Sequence, residues 1–363
     1  MTSNGIPVRL NQKIGTFENF IYRRYRTIHG LRIGIAFVCS FWLIRLTDIP
    51  EGTWPLITLV VLLGPMSFWG NVTQRTLHRI GGTIIGSVSG FIALYLELFS
   101  IPLMLIWCGI VMFFCGYLAL GKRPYMALLI GITISVVVGA PAGDMHTALW
   151  RSGDVILGAL MALLFASIYP QRAFIHWRLQ MSDALVDLAK IYGAYTSLNV
   201  IERPNLSSRL QKELNRIVKM RTFVKSASRE TQMTHAHFND IQTICRDLIC
   251  TFKFLIESHW SSRDAHFWMI NALSLRKTSQ LIQDNLHHLS TLLIEGIDKA
   301  NYQVASLTDE IIKELDQFAP EISYQPDTES SIYGYIWLSR KMGNQLKELE
   351  RLINDIMKAE AAR

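Results

Sequence analysis

Leu77-His78-Arg79-Ile80-Gly81-Gly82-Thr83-Ile84-Ile85-Gly86-Ser87-Val88-Ser89-Gly90 places a basic pair in front of an apolar segment in which glycine returns at Gly82, Gly86 and Gly90. Four residues make about one turn of an α-helix, so the three glycines share a face. In lipid such a stripe lets a second helix come close, because no side chain separates the two backbones. The segment predicts a membrane helix with a partner packed on its glycine face.

Working outward, apolar runs cover residues 31–46, 54–70, 80–96, 98–120, 125–140 and 155–169. One such run fits the core of a large soluble protein. Six in succession, on loops of about ten residues or fewer, do not. An all-α chain with a six-helix transmembrane block over residues 31–170 is therefore expected. Several runs are shorter than the ~20 residues that comfortably span a bilayer. Arg32 and Arg45 extend the first by reaching their charges toward the interface.

The connecting segments set the expected orientation. Arg23, Arg24, Arg26 and Arg32 precede the first run, Arg75, His78 and Arg79 precede the third, and Lys122 and Arg123 precede the fifth. Between these lie the acidic segments with Asp48 and Glu51, with Glu97, and with Asp144. The alternation places both termini in the cytoplasm. Trp42, Trp54, Trp69, Trp150 and Tyr169 fall near run ends, as an aromatic belt does.

Charge density divides the chain of 363 residues near Pro170. The whole carries +7 at half-hydrophobic composition, but residues 1–170 hold only 12 Lys+Arg and 6 Asp+Glu of the 36 and 29 present. The basic excess borders apolar runs instead of covering a soluble face, so it points to a membrane surface and away from nucleic acid. Residues 1–30 are polar and basic, with Phe17, Phe20, Ile21, Tyr25 and Ile28 beside the arginines, and predict an interfacial N-terminal segment. Residues 171–363 repeat apolar positions at helical spacing over 177–195, 206–224, 241–256, 269–297, 307–318 and 333–357, which predicts a soluble cytoplasmic helical bundle.

Two octets share a pattern. Arg79-Ile-Gly-Gly-Thr-Ile-Ile-Gly86 and Arg151-Ser-Gly-Asp-Val-Ile-Leu-Gly158 match in Arg, Gly, Ile and Gly, 72 residues apart. They suggest two repeats of three helices. Three is odd, so the copies would be inverted in the membrane. Gly131, Ser135 and Gly139, and Gly158, Ala162 and Ala166, form further small-residue stripes. Helix packing is accordingly expected at Gly82, Gly86, Gly90, Gly131, Gly139 and Gly158.

Signals for other chemistry are weak. Gly116 to Lys122 imitates a phosphate-binding loop but ends an apolar helix and has Arg123 where Ser or Thr belongs. His235, His237, His287 and His288 lack ligand-spaced partners, and the five cysteines show neither metal spacing nor a catalytic signature, so they are expected as free thiols. No enzyme, cofactor or metal is expected. The charges within or beside the apolar runs are more informative: Arg45, Glu97, Arg79, Arg151 and Asp154. On one reading they mark the interface. On the other they line a pathway, since charge in lipid normally faces a cavity. In the second reading the arginine forks attract a carboxylate, Thr83 orients it one turn from Arg79, and Asp154 carries a proton.

Arg79-x-x-Gly82-Thr83-x-x-Gly86 at the head of a third membrane helix resembles the signature of the fusaric-acid-resistance family, related to aromatic acid exporters. Residues 49–55, 67–71, 148–158, 169–177 and 332–335 extend the likeness over nearly the whole chain, to an enterobacterial inner-membrane protein of that kind. The resemblance implies an inner-membrane exporter of aromatic or other organic acids, working as a homodimer because the chain holds a single block. An organic-anion channel and a membrane-anchored scaffold whose cytoplasmic bundle binds a partner are the alternatives.

Overall fold

The computed structural model describes residues 13–64, 68–121, 123–141, 144–197, 202–231, 233–260, 271–296 and 326–361, with positions 266, 267, 269, 311 and 313 between the last of these stretches. Twelve helices account for nearly all of them, and no strand occurs among them. They are α1 (Thr16–Arg23), α2 (Tyr25–Leu46), α3 (Thr53–Leu63), α4 (Trp69–Glu97), α5 (Ile101–Ala119), α6 (Pro124–Val138), α7 (Met145–Ile168), α8 (Ala173–Tyr195), α9 (Ser207–Thr231), α10 (His235–His259), α11 (Leu273–Glu295) and α12 (Pro326–Ala361). Of the helix expected over 307–318 only Ile311 and Lys313 are described, and the basic residue Lys122 lies outside the described residues.

The helices form two units. One is α2–α7; the other is α8–α12 together with α1. The division differs from the expected one at the N-terminus. Residues 25–30 are the first turns of α2, while α1 joins the other unit. There Ile14 donates its backbone N–H to the Ile294 carbonyl (2.9 Å), and Ile21 and Tyr22 are buried. Phe17 and Phe20 remain exposed.

In the α2–α7 unit, α2, α4, α5 and α7 are long and apolar enough to cross a membrane. The other two are short: 11 residues in α3 and 15 in α6. At 1.5 Å per residue they reach about 16 and 22 Å, against a hydrocarbon core of about 30 Å. Gly64-Pro65 cuts the run expected over 54–70. Pro124 and Gly139 bracket α6. The long helices instead exceed their apolar runs. α4 starts eleven residues ahead of the expected Ile80, taking Asn71, Gln74, Arg75 and His78 into its first turns. α7 starts at Met145 behind the N-cap Asp144, whose carboxylate accepts from the Thr147 backbone (3.0 Å) and hydroxyl (2.6 Å).

Helix α4 is the centre of this unit, and its faces divide the work. The Gly82–Gly86–Gly90 face meets α6. A Cβ on these glycines would stand 2.8 Å from Leu129 Cβ, 2.7 Å from Thr133 Cβ and 2.6 Å from Val137 Cγ1 respectively. Each pair is offset by the same 47 positions, so α4 and α6 run parallel in fixed register. One residue's turn around the helix (about 100°), Thr76, Arg79, Thr83 and Ser87 form a polar face, all buried. Ala36, Leu59, Leu62, Val72, Ala159, Ala162 and Ala166 close an apolar core among α2, α3, α4 and α7.

In the other unit α8 packs on α9 and α11, and α10 on α9 and α12. Its helix ends are capped by side chains distant in sequence. Glu230 accepts the backbone N–H groups of Ala173 and Phe174, both at 2.9 Å, at the positive end of α8. The fully buried Arg178 donates to the carbonyls of Leu293 (2.7 Å) and Ile294 (3.4 Å) at the negative end of α11. Ser182 and Ser290 join α8 to α11 at 2.7 Å. All five cysteines are free.

Candidate functional site

Arg79 does not open its helix. It lies three turns inside α4 and is only 4% exposed. Its Nη2 donates to Thr58 Oγ1 of α3 at 3.4 Å, the far limit of a hydrogen bond, and its Nε has no partner. Among the described residues no carboxylate pairs with it. A guanidinium removed from water without a counter-charge is costly, and strongly so beside lipid.

Thr83 follows one turn later on the same face, fully buried, with its hydroxyl unpartnered. Another turn on, Ser87 donates to Ser152 of α7 at 2.9 Å, and Ser152 donates to the Ala148 carbonyl. Asp154, two residues further along α7, is 2% exposed, and its Oδ2 has no hydrogen-bond partner. It too lies within its helix, not at the mouth, because α7 begins nine residues earlier. The structure thus collects Thr58, Arg79, Thr83, Ser87 and Ser152 along the faces that α3, α4 and α7 turn toward one another, while Asp154, two residues past Ser152, points from another side of α7.

Arg151 takes up a second position. It is partly buried, donates through Nη1 to the Val136 carbonyl of α6 (3.3 Å), and pairs through Nε with Glu51 at 3.3 Å. Glu51 stands on a strained loop: it and Asp48 have φ of 57° and 45°, where a side chain costs about 1–2 kcal/mol. Arg151 and Trp54 meet a cavity of about 790 Å³ whose other walls are mostly apolar side chains of α5 and α6, Met112 and Leu128 among them. A Cβ added at Gly131 would lie 3.3 Å from Met112 Sδ, and one at Gly139 would lie 3.8 Å from Arg151 Nη1.

Arg45 and Glu97 are placed elsewhere. Arg45 is exposed, with its guanidinium over the Phe41 ring of its own helix at 5.4 Å, and Glu97 ends α4. No hydrogen bond or ion pair among the described residues joins either to the Arg79 group.

The two octets of the sequence occupy matched environments. Arg79 binds the short helix α3 that precedes it, and Arg151 binds the short helix α6 that precedes it. Gly86 presses on α6, and Gly158 presses on α3, where a Cβ would lie 2.4 Å from the Pro55 carbonyl oxygen. The helix contacts follow the same exchange: α3 packs on α7, α6 on α4, and α4 on α7.

The sequence singled out neither Thr58, Ser87 nor Ser152, and it offered Trp54 only as an aromatic-belt residue and Glu51 only as a loop charge. A signal existed for Thr58, which with Thr53 supplies the only side-chain hydroxyls of α3. Ser87 continues the four-residue spacing of Thr83, and Ser152 adjoins Arg151.

Comparison with known proteins places the chain among relatives. Residues 35–165 match the family described as fusaric acid resistance protein-like. The chain is similar to the inner membrane protein YeeA of Escherichia coli, 47% identical over 95% of this chain and 98% of that protein. It is more distantly similar to the p-hydroxybenzoic acid efflux pump subunit AaeB of Pantoea ananatis, 22% identical over 69% of this chain and 37% of that one. The AaeB subunit of Yersinia pestis is 23% identical over 67% and 40%. The chain therefore spans about two fifths of the length of those pump subunits.

Proposed function

The chain belongs to the fusaric acid resistance protein-like family, and from that footing we propose that it is a secondary transporter of the bacterial inner membrane exporting small organic, chiefly aromatic, carboxylates. The observation that carries this reading is Arg79, a buried cation in a membrane-type unit with no carboxylate partner among the described residues. Its planar fork suits two carboxylate oxygens. Thr58 and Thr83 supply hydroxyls beside the same anion. The efflux pump subunits with which the chain shares distant similarity act on an aromatic acid by their name, and the apolar walls below Arg151 suit an aromatic ring.

In this reading α2–α4 and α5–α7 are inverted halves, each with a short middle helix, and both termini are cytoplasmic. The matched surroundings of the two octets support it, as does the position of two short helices at corresponding places, where transporters of this design build their sites. Arg79 and Arg151 then serve the anion from opposite sides of the membrane. Glu51 holds Arg151 until a substrate carboxylate displaces it, and Asp154 exchanges a proton. The chain reaches two fifths of the pump subunits' length, and a second copy supplies a second block.

The test is flux of labelled p-hydroxybenzoate in proteoliposomes. Wild type is expected to give saturable flux, and Arg79→Ala to lower it more than tenfold with unchanged reconstitution. Undiminished flux in Arg79→Ala would overturn the assignment. Cross-linking at exposed Cys39 or at introduced cysteines on α5 tests the pairing of copies.

A further inference from the structure

The α8–α12 unit contains a cavity unrelated to the Arg79 group. It measures about 310 Å³ and opens among α8, α10, α11 and α12, with Gly193, His259, Arg276, Ser279, Gln283 and Tyr335 on its walls. Its depth is polar. His259 is 4% exposed, yet neither ring nitrogen has a hydrogen-bond partner. Buried polar atoms are nearly always satisfied, so both nitrogens of His259 are open to a hydrogen-bonding group that enters the cavity. The imidazole is fixed by its neighbours, with the Tyr335 ring at 5.4 Å and the His266 ring edge-on at 4.9 Å. Burial and His266 push its pKa down to about 4. At neutral pH it therefore offers one N–H donor and one bare nitrogen acceptor.

Beside it the Tyr335 hydroxyl and Ser279 Oγ lie 3.3 Å apart, and the Tyr192 hydroxyl reaches Ser279 at the same distance. Tyr192 and Ser339 also surround the Tyr335 hydroxyl, so a ligand reaching it exchanges one of these long contacts for a shorter one. The mouth differs in kind. Arg276 is exposed there and has no ion-pair partner among the described residues. The buried Leu275 adds an apolar wall. A charge receptor at the rim, apolar surface between, and a neutral donor–acceptor set at the bottom define a ligand with matching ends.

We propose that this cavity is a second small-molecule site, taking an organic monoanion whose carboxylate rests on Arg276 and whose hydroxyl end reaches His259 and Tyr335. Occupancy ties α10, α11 and α12 together, so the helical unit stiffens when the ligand is present. The site is independent of the transport reading and stands whether or not Arg79 carries substrate.

The experiment uses the full-length protein in lipid nanodiscs, titrated calorimetrically with 3-hydroxyphenylacetate. Phenylacetate, which lacks the hydroxyl, and 3-hydroxyphenylethanol, which lacks the charge, are the comparison probes. 3-Hydroxyphenylacetate is expected to bind at least tenfold tighter than either. It is also expected to slow hydrogen exchange in peptides covering 255–260, 275–283 and 332–338. Arg276→Gln, an exposed change that leaves the fold alone, should weaken binding at least tenfold and abolish that protection. Arg79→Gln should leave the protection of those peptides unchanged, which separates this site from the membrane unit. No protection of those peptides, equal affinity for phenylacetate, or protection that survives Arg276→Gln would each overturn the proposal.

Discussion

Gly158 of α7 lies directly on the backbone of Pro55 in α3: a Cβ added there would meet the Pro55 oxygen at 2.4 Å and its Cα at 2.7 Å. A flexible side chain in that place would swing aside; a backbone carbonyl in the first turn of a helix does not. Gly158→Ala is therefore expected to part the two helices and lower stability by about 1–3 kcal/mol. Gly153→Ala, five residues earlier with open space around it, is the matched control and should be silent. Thermal unfolding of the detergent-solubilised protein, followed by size-exclusion fluorescence, compares the two. Equal melting temperatures would refute the close packing.

Asp154→Asn keeps the shape of the side chain and removes its ability to release a proton. The variant is expected to reconstitute normally and to lose the response of flux to a pH difference across the membrane, while flux down the substrate's own gradient persists. Fluorescent monitoring of internal pH during substrate flux makes the comparison. A retained response in Asp154→Asn would exclude this carboxylate as the proton carrier.

His176 and His259 give the helical unit an acid limit. Burial pushes each down to about 4, His266 adding to the effect at His259. The unfolded chain holds its histidines near 6.5, so below that pH the unfolded state binds more protons than the folded one. Stability is complete above about pH 6.5 and is lost as pH falls toward 4, by on the order of 3 kcal/mol for each histidine. Melting curves of the full-length protein between pH 7.5 and 4 should show this slope. His176→Phe, which keeps an aromatic ring against Phe223 (4.8 Å away in the wild type), should flatten it. An unchanged slope would mean that His176 titrates normally.

Cys245 and Cys250 share a helix and differ in chemistry. Cys245 is buried against Met181 Sδ at 3.6 Å, and its thiol is pushed up to about 12 by desolvation; Cys250 is exposed. In the native protein at pH 7.5 a maleimide is expected to label Cys250 and spare Cys245, which becomes reactive only on unfolding. Mass spectrometry of the labelled peptides reads the result directly. Native labelling of Cys245 would contradict its burial.

Much of the membrane-type unit was legible because its glycines and charges follow helical arithmetic. Gly82, Gly86 and Gly90 announced a close partner, although nothing in their spacing said that the partner would be α6 and that it would run parallel. Helix lengths were harder. Hydropathy marks where a segment is apolar, and α4 and α7 carry polar first turns that a run of apolar residues does not count. That is why Arg79 and Asp154 looked like residues at helix mouths and proved to be buried. The shortness of α3 was written in Gly64-Pro65, and that of α6 in Pro124 and Gly139, inside stretches whose apolar content hid the punctuation. In the helical unit, the periodicity gave the helices. The caps formed by Arg178 and Glu230 join residues 57 to 115 positions apart and depend on the tertiary fold alone.

The crossed packing of the short helices bears on how the protein is made. α3 lies against α7, and α6 against α4, so the first three helices to leave the ribosome hold one member whose neighbour is still unsynthesised. Until α7 arrives, α3 keeps its Pro55 face without its final surroundings, in a helix about half the thickness of the hydrocarbon. A gene cut between α4 and α5 would produce two fragments that are each unstable alone and that complete one another only when both are translated in the same cell.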